Sequence, residues 1–151
     1  MIQRKQTVFL LVALVLTIVC LCFPIGSFTD GTALGVKSDL YNLWTRPGGS
    51  YGFPVWVLFA ILLLTCPIAL IAIFSYRNRM VQSRFCVFNL LLILGWYVVY
   101  AVVSTHISES AGNFSVSLTA ALPAVAMILY FMARKAILAD EALVRSADRI
   151  R

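Results

Sequence analysis

The sequence predicts an all-α membrane protein, four transmembrane helices in an antiparallel bundle, with span four extended as an amphipathic cytoplasmic C-terminal helix. Three observations predict it. The stretches 6–29, 47–76, 85–108 and 110–133 hold no Asp, Glu, Lys or Arg, and each is longer than the about 20 apolar residues that a helix needs to cross a hydrocarbon core. Ten of the twelve basic residues fall on one side of the resulting topology. The residues after the fourth stretch repeat apolar side chains at helical spacing. Within lipid, backbone polar groups must be satisfied inside the segment, so continuous apolar runs of this length are expected as helices.

Span one covers about 7–23 and ends at Pro24, which has no N–H to continue the ladder. Its basic start resembles a signal peptide, but no A-x-A-like site follows, and Val19 and Leu21 stand where a lipoprotein cysteine would need small neighbours. Span one is expected to be retained. Residues 24–52 form the first outer loop, with turn chemistry at Asp30, Gly31, Gly35, Pro47, Gly48 and Gly49. Within it, Leu40, Leu43 and Trp44 predict one helical turn on the membrane, capped by Ser38. A short hairpin using Leu34 and Val36 is the alternative.

Span two covers about 53–75, with Pro54 in its first turn and a kink expected near Leu63 to Cys66 because Pro67 lies in its interior. An inner loop, 76–84, leads to span three, about 85–104. A second outer loop, 105–114, leads to span four, about 115–133, with Pro123 at its middle, and a cytoplasmic tail, 134–151, ends the single membrane domain. Trp44, Tyr51, Phe53 and Trp56 mark the outer interface, and Tyr76, Tyr130 and Phe131 the inner one. Small residues at four-residue spacing, Ser117 with Ala121 and Ala120 with Ala124, predict close packing around span four as the bundle's centre. Asn89, the one amide side chain inside a predicted span, is expected to make an interhelical hydrogen bond.

The net charge of +6 follows from topology. Arg4 and Lys5 precede span one, Arg77, Arg79 and Arg84 fill the inner loop, and Arg134, Lys135, Arg145, Arg149 and Arg151 follow span four. Only Lys37 and Arg46 fall on the other side. The bias places both termini in the cytoplasm and explains the basicity as orientation and contact with anionic headgroups; no nucleic-acid-binding module is present. At 62% hydrophobic and 12% charged residues, with a mean hydropathy of +0.94, the chain lacks the charged surface of a soluble domain.

Catalytic chemistry has little material. His106 is the single histidine, and with Glu109, Asp30 and Asp39 it shows no metal-ligand spacing. Cys20, Cys22, Cys66 and Cys86 all fall within or at the ends of spans and none in an outer loop, so they are expected to pack as inert thiols rather than exchange disulfides. No span carries an ionisable carboxylate or base, which disfavours ion-coupled transport. No metal or cofactor is expected, and an enzyme is not.

The tail carries the most specific pattern. Ala133, Ala136, Ile137, Leu143, Val144, Ala147 and Ile150 form one helical face, and Arg134, Glu141, Arg145, Asp148 and Arg149 another. Asp140 falls inside the apolar face, where a carboxylate is costly without a cation. Arg4, Lys5, the inner-loop arginines or a basic group on another protein are the candidates. Glu141 and Arg145 are spaced as a favourable i,i+4 pair.

Both ends of the chain carry a resemblance. Met1-Ile2-Gln3-Arg4-Lys5-Gln6-Thr7-Val8, Ala133-Arg134-Lys135-Ala136-Ile137, Asp140-Glu141 and Leu143-Val144-Arg145-Ser146-Ala147-Asp148-Arg149-Ile150-Arg151 resemble domain of unknown function 4293, a family of small four-span membrane proteins of Bacteroidota. The resemblance covers the whole chain by length and span count and implies a bacterial inner-membrane protein. It implies no activity.

The functional expectation is a noncatalytic accessory or interaction protein of the inner membrane. Its partners are the lipid bilayer and a protein, or a second copy, with docking through Ile137, Asp140, Leu143, Val144 and Ala147. A small oligomeric transporter or channel for a neutral solute is the alternative, and an outer-face enzyme the third reading.

Overall fold

The computed structural model describes residues 3–29, 37–46, 55–75, 78–111 and 114–148. Four helices dominate: α1 (Gln3–Cys22), α2 (Trp56–Phe74), α3 (Arg79–Ala111) and α4 (Leu122–Asp148). Helix α1 packs on α2 and α4, and α3 packs on α2 and α4, so each helix has two principal neighbours and α4 is not a unique centre. Three helical segments are long and apolar enough to cross a membrane, Trp56–Phe74, Arg79–Glu109 and Leu118–Ala147, whereas the apolar helix Gln6–Cys22 is shorter. Hydroxyls within the helices return to the backbone: Thr17 donates to the Leu14 carbonyl at 2.7 Å and Thr65 to that of Leu62 at 2.6 Å, which satisfies them without water. Helix α2 runs unbroken through Pro67.

The chain is not all-α. Strands β1 (Gly26–Thr29), β2 (Lys37–Leu40), β3 (Thr45–Arg46) and β4 (Phe114–Val116) form an antiparallel sheet in the order β3-β2-β1-β4. The helical turn expected around Leu40, Leu43 and Trp44 is instead the end of β2 and a tight turn closed by Tyr41 N–H to the Trp44 carbonyl at 2.8 Å. Ser38 caps nothing; it is buried in β2, and its Oγ has no hydrogen-bond partner. Leu34 and Val36, the residues of the alternative hairpin, lie outside the described residues. Alternation explains the strands: Phe28, Ser38 and Leu40 point inward while Lys37 and Asp39 point out, the pattern of a sheet with one packed face.

This sheet closes one end of the helices. Ile25, Phe28 and Leu40 pack with Leu58, Leu62, Trp96, Tyr100, Val103 and Ile107 in one buried cluster. Burial of Val103 and Ile107 accounts for the continuation of α3 well beyond the expected end of span three, through 105–111, where a loop was expected. Ser104 and Thr105 donate to the Ala101 and Val102 carbonyls along the way. At 33 residues, α3 is about 50 Å long and overshoots a hydrocarbon core of about 30 Å. Span four starts later than expected. Phe114–Val116 is strand, a 3₁₀ turn occupies Leu118–Ala121, and α4 begins at Leu122, so Pro123 sits in the first helical turn, where its missing N–H costs nothing. Gly26 leaves room for Phe114 where β1 passes it, since a Cβ there would lie 2.5 Å from the end of that ring and would displace it.

A second cluster fills the other end, near the tail: Leu10, Ala13, Ala69, Ala72, Cys86, Ile93, Ala126, Tyr130, Ala133 and Ile137. The two ends differ in how they treat polar groups, and that difference sets the candidate sites.

Candidate functional site

At the tail end, Asp140 meets its cation within the chain. Arg79 Nη1 lies 2.8 Å from Asp140 Oδ2. The pair is Coulombic rather than an aligned hydrogen bond, since Oδ2 has no hydrogen-bond partner, and the same Nη1 donates to the Asp140 carbonyl at 3.4 Å. Gln6 Nε2 donates to the Ala136 carbonyl at 3.2 Å, tying α1 to α4 just above. Of the five predicted docking residues, Ile137 and Asp140 are thus buried within the fold, while Leu143, Val144 and Ala147 are exposed. Glu141 and Arg145 pair at 2.8 Å, with Arg145 largely in solvent.

Exposure of the last turns follows from helix lengths. Arg79 begins α3 at the level of Asp140. Gln3, three residues before Gln6, begins α1 at about the level of residue 139, counting antiparallel from the Gln6–Ala136 contact. Residues 141–148 of α4 therefore run past the ends of both neighbouring helices. Leu143 is 60% exposed and Val144 46%.

Deeper among the helices lies a set of unpartnered polar groups. Asn89 is fully buried, and neither Nδ2 nor Oδ1 has a hydrogen-bond partner; the interhelical bond expected of it is not formed in the structure. Tyr130, expected at the inner interface, is fully buried instead, and its hydroxyl is also unpartnered. Arg134, one turn along α4, has a buried and unpartnered Nε. Phe131, Trp44 and Trp56 are exposed, as interfacial rings are.

The sheet end is the opposite case. Asn42, in the β2–β3 turn, is fully buried; its Nδ2 donates to the Cys20 carbonyl at 2.7 Å and its Oδ1 accepts from Trp96 Nε1 at 3.1 Å. The Cys20 carbonyl needs that donor, because four residues on the chain has Pro24, which carries no N–H. Tyr100 stacks on Trp96 with ring centroids 5.1 Å apart and donates to the Ile25 carbonyl at 2.9 Å. Tyr97 donates to the Ala120 carbonyl at 2.8 Å. A groove of about 550 Å³ lies beside these rings, lined by Tyr97, Tyr100, Leu118, Ala120, Ala121 and Ala124 among others.

Among the described residues, no group of three His, Cys, Asp or Glu stands close enough to hold a metal ion. His106 and Glu109 are exposed on the sheet-end portion of α3, and Asp39 is exposed on β2; Asp30 lies outside the described residues. The four cysteines are free, Cys20 and Cys86 buried, Cys66 half-buried and Cys22 exposed at the last residue of α1.

A family profile described as a domain of unknown function, DUF4293, matches residues 2–150. The chain belongs to that family. Among curated proteins, none matches it. Both polar arrays described above therefore fall within the matched DUF4293 region, as do the exposed tail residues Leu143, Val144 and Ala147. Sequence reasoning singled out Asn89 and Asp140 by their isolation in apolar surroundings. It missed Asn42, whose role is signalled by a proline four residues after the carbonyl it serves, and Tyr130, whose place in an aromatic-rich helix end resembles that of an interfacial anchor.

Proposed function

We propose that this DUF4293 protein is a noncatalytic accessory or interaction component of a bacterial inner membrane that docks a cytoplasmic protein partner through the end of α4. In this reading all four helices span the bilayer as an antiparallel bundle. The shorter α1 lies at the lower end of the usual range of about 17 to 25 residues and is continued by the sheet. Both termini, the turn between α2 and α3 and the tail face the cytoplasm, because ten of the twelve basic residues gather there. The sheet then faces outward.

The observation that carries the docking is the unshared end of α4. Residues 141–148 extend past α1 and α3 and hold Leu143, Val144 and Ala147 in the open, a strip of the helix-in-groove type. Ile137 and Asp140 hold the tail's root in place and leave the strip to the partner. The test is a Leu143→Glu and Val144→Glu double variant, with co-purification from the native membrane as readout. Loss of a stoichiometric partner with unchanged membrane accumulation is expected. Unchanged co-purification would contradict the docking and leave the tail as a helix resting on headgroups. Reporter fusions after Arg84 and Arg151 should read cytoplasm and fusions after Gly49 or Gly112 the outer side; the reverse result would overturn the orientation.

A further inference from the structure

We propose that Asn89 and Tyr130 form a buried binding site for a single water molecule between α3 and α4, about half-way through the membrane, with Arg134 Nε as a third contact on the tail side. The two residues meet by register. Arg79 opposes Asp140 at 2.8 Å, and ten residues along α3 leads to Asn89 while ten residues back along α4 leads to Tyr130. Both therefore lie about 15 Å from the ion pair at 1.5 Å per residue. A second contact further along, where Tyr97 bonds the Ala120 carbonyl, lies within two residues of that register. Facing is fixed as well: Asn89 is buried between Cys86 and Ile93 on α3, and those two share one packed cluster with Tyr130.

Asn89 offers a donor and an acceptor, Tyr130 a hydroxyl that can do either, and Arg134 Nε a donor, and all four atoms are buried without a hydrogen-bond partner. In hydrocarbon no bulk water rescues a stranded polar atom, and each one left bare is destabilising. Asn89 and Tyr130 are both fully buried, so neither a lipid headgroup nor a second copy of the chain reaches them. The occupant must be small, since Asn89 and Tyr130 are closed off from the surface, and must both donate and accept. Water meets these demands with three or so hydrogen bonds, the usual number for a buried structural water.

Asn42 provides an internal control: it is equally buried, but its amide is spent on a backbone carbonyl and an indole. The full chain, labelled with ¹⁵N-asparagine and held in phospholipid vesicles, is measured by water-edited solid-state NMR, with the Asn89 side-chain signal assigned by its loss in Asn89→Leu. The site predicts transfer from water to the Asn89 side-chain amide and none to that of Asn42. Transfer at Asn89 should weaken in Tyr130→Phe, a change that preserves packing. Absence of transfer at Asn89 in the wild-type chain would overturn the proposal. So would an Asn89 signal that shifts in Tyr130→Phe without ever receiving magnetisation from water, because that marks a direct Asn89–Tyr130 bond.

Discussion

The sheet end and the tail half of this molecule are built from similar residues used in different ways. Each holds a fully buried asparagine and a buried tyrosine, Tyr100 at the sheet end and Tyr130 in the tail half. At the sheet end Asn42, Trp96, Tyr97 and Tyr100 all find protein partners, and among the described residues only Ser38 Oγ is left out. In the tail half Asn89, Tyr130 and Arg134 Nε find none. Covalent structure explains the difference. The sheet end contains carbonyls that no helix can serve, at Cys20 before Pro24, which takes the Asn42 amide, and at Ile25 after the break, which takes the Ser117 N–H at 3.1 Å together with the Tyr100 hydroxyl. In the tail half, side chains near the starts of α1 and α3 reach carbonyls of α4, Gln6 to Ala136 and Arg79 to Asp140, whereas Asn89 and Tyr130 lie inside regular helix, where the backbone carbonyls are already served within the helix.

Substitutions that break this contrast should follow that logic. The largest effect is expected from Asn42→Leu, which strands both the Cys20 carbonyl and Trp96 Nε1 in a buried site and should cost about 2 to 4 kcal/mol, read as reversible unfolding in detergent micelles. Gly26→Ala should come next. Its Cβ would collide with Phe114, an overpacking cost of about 1 to 3 kcal/mol, and adding Phe114→Leu should recover part of it; no recovery would show that the strain lies elsewhere in β1. At the tail end, a double-mutant cycle of Arg79→Gln and Asp140→Asn should give a coupling of about 1 kcal/mol, the upper range for pairs that keep some contact with solvent. A coupling near zero would mean that the root of the tail is held by Ile137 and Gln6 alone.

Much of the fold was legible because hydrocarbon imposes long, unambiguous patterns. The charge-free runs locate the apolar helices, and the position of Asp140 inside an apolar stripe points to a cation, Arg4, Lys5, an inner-loop arginine or a basic group on another protein, among which the structure selects Arg79. Three features were not legible as first read. The strands have only two to four residues each, too short for alternation to stand out, and their pairing of Gly26 with Val116 joins distant parts of the chain. The polar run Ser104-Thr105-His106 resembles a loop, yet Val103 and Ile107 continue the buried face of α3 through it. Pro123 falls at the middle of the fourth apolar run yet sits in the first turn of α4, and the Phe114-Ser115-Val116 alternation before it is the sign of a strand. Asn89 was legible as an isolated amide, but which partner it takes depends on the register of α3 against α4, and one sequence does not set that register.

Two equally buried asparagines do opposite work, and the direct test is the unfolding free energy of Asn89→Leu measured beside Asn42→Leu in the same lipid or detergent. Asn89→Leu should change stability by no more than about 1 kcal/mol, because it removes an amide that no protein group bonds directly, and its cost should fall further when Tyr130→Phe removes the hydroxyl left without its water. Equal losses in the two variants, or a larger loss at Asn89, would contradict the contrast and place the principal polar fastening of the fold in the tail half.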